Sequence, residues 1–257
     1  MSRFFRFIVA VLCLGLFVPA AATAQQSEPA VFTFVAEWAV PRAQWDEFIA
    51  NWEKNTKPVL ERNTANGTLL SWGVYATVVH TPDYPTHGVW WQGTSNAAIE
   101  RVREELIKQP PSPAMVAATR HRDLLFRSIA HKAKAVAPSS GYLYVSMYLV
   151  KPGEGQKWRE LWDKYNKPLM DDQLAKGNIS YYVIQVEDVH TENPGTRWVA
   201  SIYPNAEAMD RLDAAFDAVD QKRSAEERRA IGAAFAEVLA PGTHRDFFAR
   251  VLSWWHK

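Results

Sequence analysis

The chain has 257 residues, with 29 basic against 28 acidic side chains and a formal charge of +1. So even a balance creates no strong field of one sign, which argues against nucleic acid and anionic membrane surfaces as partners. One cysteine, Cys13, cannot form an intrachain disulfide.

Residues 1–24 read as a secretory signal peptide. Arg3 and Arg6 supply a positive start, Phe7 to Val18 is an apolar run too short to span a bilayer, and Ala22-Thr23-Ala24 is a small-x-small cleavage site. The competing reading is a retained N-terminal anchor. Cleavage before Gln25 places the mature protein in the periplasm or the medium, with no further segment apolar enough for a membrane. It also removes Cys13, and with it any thiol nucleophile or thiolate metal ligand. All eleven tryptophans remain, a load that suits large cores or an aromatic-lined pocket.

Phe32 to Val40 alternates and is rich in aromatic and β-branched residues, which predicts a strand. Trp45, Phe48, Ile49 and Trp52 follow at helical spacing, with Pro58 set to kink or end that helix before Gly67. Leu69 to Val79 and His87 to Thr94 read as strands, Ala97 to Ile107 as a helix and Asp123 to Ile129 as a last strand. Lys134 to Ser140 reads as a linker.

The series then repeats. Shifted by 110 positions, residues 31–102 align without a gap on 141–212. Trp52-Glu53-Lys54 meets Trp162-Asp163-Lys164, Lys57-Pro58 meets Lys167-Pro168, Gly67 meets Gly177, and Val79-His80-Thr81 meets Val189-His190-Thr191. His121-Arg122-Asp123 meets His244-Arg245-Asp246 at a shift of 123. The second copy therefore carries about 13 extra residues, and Ser224 to Glu227, a capping box, predicts an extra helix near 224–239. The expected organisation is a first repeat over 31–133, a linker over 134–140 and a second repeat over 141–255.

The order β-α-β-β-α-β in each copy is ferredoxin-like, giving an α+β protein of two tandem units. Each such sheet leaves one face bare, and two units can cover each other sheet to sheet. With its repeat, its strand-helix order and its Trp-x-Lys-x-x-Lys-Pro…Gly…His-Thr pattern, the chain resembles the dimeric α/β-barrel superfamily. The resemblance implies an intramolecular barrel, a monomeric pseudo-dimer. It leaves activity open, since that superfamily includes cofactor-free monooxygenases, haem-dependent enzymes and small ligand-binding proteins.

His80 and His190 close the two second strands, either as imidazoles at a barrel mouth or as strand-end residues bonded to loop backbone. His121 with Asp123, and His244 with Asp246, stand two apart and so share a strand face. A carboxylate beside an imidazole orients a general base, while the alternative is a loop-to-strand corner. No spacing supplies three convergent metal ligands. On the first strands Phe32, Phe34 and Trp38 share one face, as do Tyr142, Tyr144 and Tyr148 in the second copy. The aliphatic face Leu143, Val145, Met147 and Leu149 suits helix contact, so the aromatic face is expected to look into the barrel. Trp38, Trp72, Trp90, Tyr144, Tyr148 and Tyr182 are the candidate ligand contacts. The copies differ at Trp72, His87, Trp90 and Trp91 against Tyr182, Arg197, Ala200 and Ser201.

Three functions compete. A binding protein would hold a small apolar or aromatic molecule in the barrel. An oxidoreductase of the monooxygenase kind, cofactor-free or using haem, would aim a histidine into the cavity. A structural or interaction protein would have a filled barrel. The sequence requires no cofactor. It also lacks a phosphate-cradling glycine loop, a Gly-x-Ser-x-Gly elbow and a His-Glu-x-x-His helix, which argues against nucleotide binding, serine hydrolysis and zinc proteolysis.

Overall fold

A computed structural model describes residues 30–81, 84–191 and 193–257. The signal-peptide reading lies outside these residues. In the first half, β1 (Phe32–Trp38) leads through a short 3-10 turn to α1 (Trp45–Asn51), a π-helical turn (Trp52–Thr56) and α2 (Lys57–Ala65). Pro58 has no N–H to donate to the preceding turn, and the wide π turn absorbs that defect, so the helix bends and continues. Then come β2 (Ser71–Thr77), β3 (His87–Gly93), α3 (Asn96–Ile107), the four-residue α4 (Pro113–Val116) and β4 (His121–Ala133).

The second half runs β5 (Val136–Leu149), α5 (Gly155–Tyr165), α6 (Lys167–Lys176), β6 (Tyr181–Glu187), β7 (Thr196–Tyr203), α7 (Ala206–Gln221), α8 (Ala225–Val238) and β8 (Arg245–His256). Gly67 and Gly177 end equivalent helices with φ of 80°, a backbone that side chains disfavour. The Ser224–Glu227 capping box forms and starts α8.

The eight strands close into one antiparallel barrel in the order β1-β3-β2-β8-β5-β7-β6-β4. Each half contributes four adjacent strands in the same internal order. The seams are β2 with β8 and β4 with β6. The expected linker is shorter than its seven residues. β5 begins at Val136 and pairs with β8 through irregularities, because the long β8 offers an edge out to His256. Only Lys134 and Ala135 separate β4 from β5.

Three apolar clusters hold the fold. One fills the barrel, and one lies between each half's sheet and its helices. The expected inward direction of the aromatic faces is reversed. Thr33, Val35 and Glu37 of β1 and Leu143, Val145 and Met147 of β5 line the barrel, whereas Phe34, Ala36 and Trp38 pack under α1 and α3. The barrel is already occupied by large rings from other strands, including Tyr75, Trp90, Tyr181, Trp198 and Trp254. Eight strands leave room only for smaller neighbours beside them. Glycine makes two of these rings fit. A Cβ on Gly73 would meet the Trp90 ring at 2.1 Å and one on Gly88 the Tyr75 ring at 2.2 Å. Each glycine is the cross-strand partner of the ring that lies over it.

Candidate functional site

The helices of the first half do not close completely over their sheet. Between them lies a cleft of about 510 Å³, bounded by β1, α1, the π turn, α3 and α4. Its walls are aromatic. Phe34 stacks on Trp91 with centroids 4.7 Å apart, Trp38 leans on Phe48 at 5.5 Å, and Trp52 comes from the π turn. Two exposed apolar side chains, Ile107 and Val116, also line the cleft. A volume in the 300–1,000 Å³ range with apolar walls and a few polar groups is the usual form of a small-molecule site.

The polar groups come from β4 and the first helix. His121 and Asp123 share the outer face of β4, as their spacing predicts, and both line the cleft. Imidazole Nε2 lies 3.1 Å from Asp123 Oδ1, and the ring stacks on Trp38 at 4.9 Å and 16°. This fixes the imidazole plane and gives it a carboxylate neighbour, the arrangement of an oriented base. Trp52 is 2% exposed, and its indole N–H has no hydrogen-bond partner. Such an orphan costs free energy unless something meets it. π turns recur at functional sites, and this one places Trp52 and Thr56 on the cleft wall.

The other expected site residues lie elsewhere. His80 is exposed beyond β2, with its ring 5.1 Å from Trp45. His190 is exposed beyond β6, beside Arg127, Asp188 and Arg197. Thr191 in that loop donates from both N and Oγ1 to Glu187, a turn-building arrangement. His244 meets Asp246 at 2.9 Å and stacks on Tyr148 at 4.7 Å, repeating the first half's trio on the outer face of the second sheet. Of the six expected ligand contacts, Trp90 alone lines the barrel cavity, and Trp38 lines the cleft. Trp72 is sealed in the first sheet–helix core, and Tyr182 in the second donates to Asp171 Oδ1 at 2.6 Å. Tyr144 packs at the edge of the second core, its hydroxyl pushed up to about 12 by burial and then by Asp246.

Sequence reasoning did not single out the polar cluster inside the barrel. Glu37, 4% exposed, accepts from the Tyr75 hydroxyl and from Arg122 Nε at 2.5 Å. Burial, and then the Glu37 charge, hold the Tyr75 hydroxyl well above its ordinary value. The available signal was a carboxylate in the middle of an apolar strand. Further along, Gln92 donates to Thr33 Oγ1 at 2.9 Å and to the Tyr181 hydroxyl at 2.7 Å. The barrel retains a cavity of about 80 Å³, far smaller than the cleft, and among the described residues no histidine lines it.

Among the described residues no three His, Cys, Asp or Glu side chains gather as a metal site, and no helix is long and apolar enough to cross a membrane. The cleft does not fit haem. Its one described imidazole has its face on Trp38 and Nε2 against Asp123, and the nearby cation Arg103 is already bonded to Glu100.

No protein-family model and no curated protein matches the chain. Solved structures do. A candidate monooxygenase from Lactobacillus acidophilus NCFM superposes with a TM-score of 0.61 at 12% identity, covering 89% of this chain and 97% of that one. A candidate monooxygenase from Fusobacterium nucleatum subsp. nucleatum gives 0.62 at 10% identity, covering 89% and 95%. An anthrone oxidase-like protein gives 0.55 at 14%, covering 89% and 94%. At such identities the likeness is one of fold: the chain has the α+β architecture of these proteins, built on a closed antiparallel barrel of eight strands.

Proposed function

We propose that this protein binds a small planar aromatic molecule in the cleft of its first half. One observation carries the reading: a cleft of about 510 Å³ is walled by Phe34, Trp38, Trp52 and Trp91 and bears the His121–Asp123 pair. Stacked rings bury an aromatic ligand well, and the His121 imidazole on the cleft wall offers a polar contact for a ligand hydroxyl. The site thus moves from the barrel interior, where the sequence reading put it, to the space between sheet and helices. A calorimetric titration with 1-naphthol tests this. Binding is expected in the micromolar range and about tenfold weaker in Trp38→Ala; no binding, or binding indifferent to Trp38→Ala, removes the proposal.

A second reading adds chemistry and rests on the same His121–Asp123 contact. An oriented imidazole beside bound 1-naphthol can take the phenolic proton, and the resulting electron-rich ring can react directly with dioxygen. The balance is one naphthol and one dioxygen giving one naphthoquinone and one water, with a ring C–H becoming C=O. The monooxygenase and anthrone oxidase-like names of the structural neighbours are compatible with this. Dioxygen uptake with 1-naphthol, lost in His121→Ala while binding persists, is the expected result; no uptake leaves a binding protein.

The proposal includes the chain's organisation. The mature protein is an exported monomer of two ferredoxin-like units in tandem, a pseudo-dimer in one chain. The gap-free internal match and the like strand order of the two halves support it. Export rests on residues 1–24 and is tested by sequencing the N-terminus of the exported protein, expected at Gln25.

A further inference from the structure

We propose that the middle of the barrel is a separate binding site for an apolar gas of one or two atoms, with dioxygen as its natural ligand. β1 and β3 divide it from the cleft. The dioxygen-consuming reading of the cleft names a use for such a ligand, but occupancy of the barrel does not rest on it.

A difference between the halves carries the inference. Under the shift of 110, Trp90 answers to Ala200, Gly73 to Val183 and Val35 to Val145. In the first half Trp90 pairs with Gly73, and its ring lies over that glycine. In the second half Ala200 pairs with Val183 and with Val145, so a methyl group stands where the first half has an indole. The barrel is left with a cavity of about 80 Å³, and Val35, Trp90, Leu124, Val145, Val183 and Ala200 are in its wall.

The middle of this cavity offers nothing to water. In the first half polar groups stand to either side of an apolar centre. Thr33 pairs with Gln92 on one side and Glu37 with Arg122 on the other, with Val35, Trp90 and Leu124 between. Each polar set is bonded within itself, Gln92 to Thr33, and Glu37 to Arg122 and Tyr75. Gln185 Oε1 and Trp198 Nε1 are sealed and turn no surface to the cavity. A buried water needs several polar partners, and an apolar cavity without them stays dry. A dry cavity of roughly 150 Å³ takes benzene or xenon. About half that volume excludes a ring and admits a single atom or a diatomic. A gas there makes dispersion contacts that an empty void forfeits.

Xenon and dioxygen are the probes, applied to the full protein. Crystals pressurised with xenon should show a peak among Val35, Val145 and Ala200, unchanged when 1-naphthol is also present. In solution, dioxygen pressure should speed relaxation of the Val35, Val145 and Val183 methyls more than those of Ile99 and Ile184, which are buried in the two sheet–helix cores. Ala200→Leu should remove both signals and leave 1-naphthol binding intact; if that variant does not fold, Ala200→Val should weaken both. Ordered water in place of xenon, no peak in the barrel, a peak displaced by 1-naphthol or equal relaxation of all five methyls would each overturn the proposal. So would signals indifferent to the change at residue 200. The cleft chemistry fails separately, through its own assay of dioxygen uptake with 1-naphthol.

Discussion

Both halves place the same trio on the outer face of the sheet, His121, Asp123 and Trp38 in one and His244, Asp246 and Tyr148 in the other, but surround it differently. In the second half Ser146 Oγ donates to Asp246 Oδ1 at 2.9 Å. In the first half Ala36 stands at that place and has nothing to donate. Beside its trio, whose His121 and Asp123 are about half exposed, the first half has the four-residue α4. In the second half, whose His244 and Asp246 are about as exposed, the corresponding stretch holds the long α8, whose Phe235 and Val238, with Leu239 just beyond, pack into the cluster around Trp158 and Trp162. The same backbone plan thus yields an open cleft once and a packed core once. The imidazole–carboxylate contact by itself is therefore no sign of a site; the space beside it is.

The comparison can be broken or sharpened experimentally, beginning where the effect is largest. His87 stands in the first half where the second has Arg197. It is 1% exposed, beneath Trp45 and Phe48, and burial followed by the neighbouring charges of His80 and Arg42 lowers it from 6.5 to about 4. The folded protein then binds the proton more weakly than the unfolded chain. Stability is full above pH 6.5 and falls as the pH drops towards 4, by about 3 kcal/mol. Urea unfolding between pH 4 and 7 should show this slope, and His87→Gln should flatten it.

Next is Glu37, whose counterpart is Met147. Glu37→Met makes the first half like the second but strands the buried Tyr75 hydroxyl and takes one charged contact from Arg122. Because Arg122 is partly in solvent, the expected loss is reduced to about 2 kcal/mol. Denaturant unfolding measures it, and an unchanged midpoint would mean that the buried cluster adds nothing to stability.

Trp38→Ala against Tyr148→Ala tests the halves directly. The first should weaken 1-naphthol binding about tenfold, or about 1.4 kcal/mol, and the second should not change it. Equal effects would erase the distinction between the halves. Smallest is Gln185→Leu, which removes an unmet buried acceptor and should raise stability by about 1 kcal/mol without ligand. A drop of that size would indicate that the carboxamide supports the fold.

Much of the architecture was legible because it rests on local patterns and on repetition. The alternation in Phe32 to Val40 and the Ser224–Glu227 box each point to an element that forms. The face shared by His121 and Asp123 follows from the period of a strand. The inward direction of β1 and β5 was not legible, because both faces carry large apolar side chains and are at least half-buried, so polarity cannot separate them. Space decides instead, through Trp90 lying over Gly73 and Tyr75 over Gly88. The Glu37–Tyr75–Arg122 cluster draws on three strands and needs the barrel to be closed before it can be seen. α4 was too short to leave a periodic signal. The cleft arises from the π turn and from what α4 fails to cover, and no residue pattern records that gap.

The most direct test of the central claim is a crystal structure of the protein grown with 1-naphthol. Ring density among Trp38, Trp52 and Trp91, with the hydroxyl towards His121, is the predicted result. Density on the outer face of the second half, or none in a cleft that is open in the crystal, would contradict it.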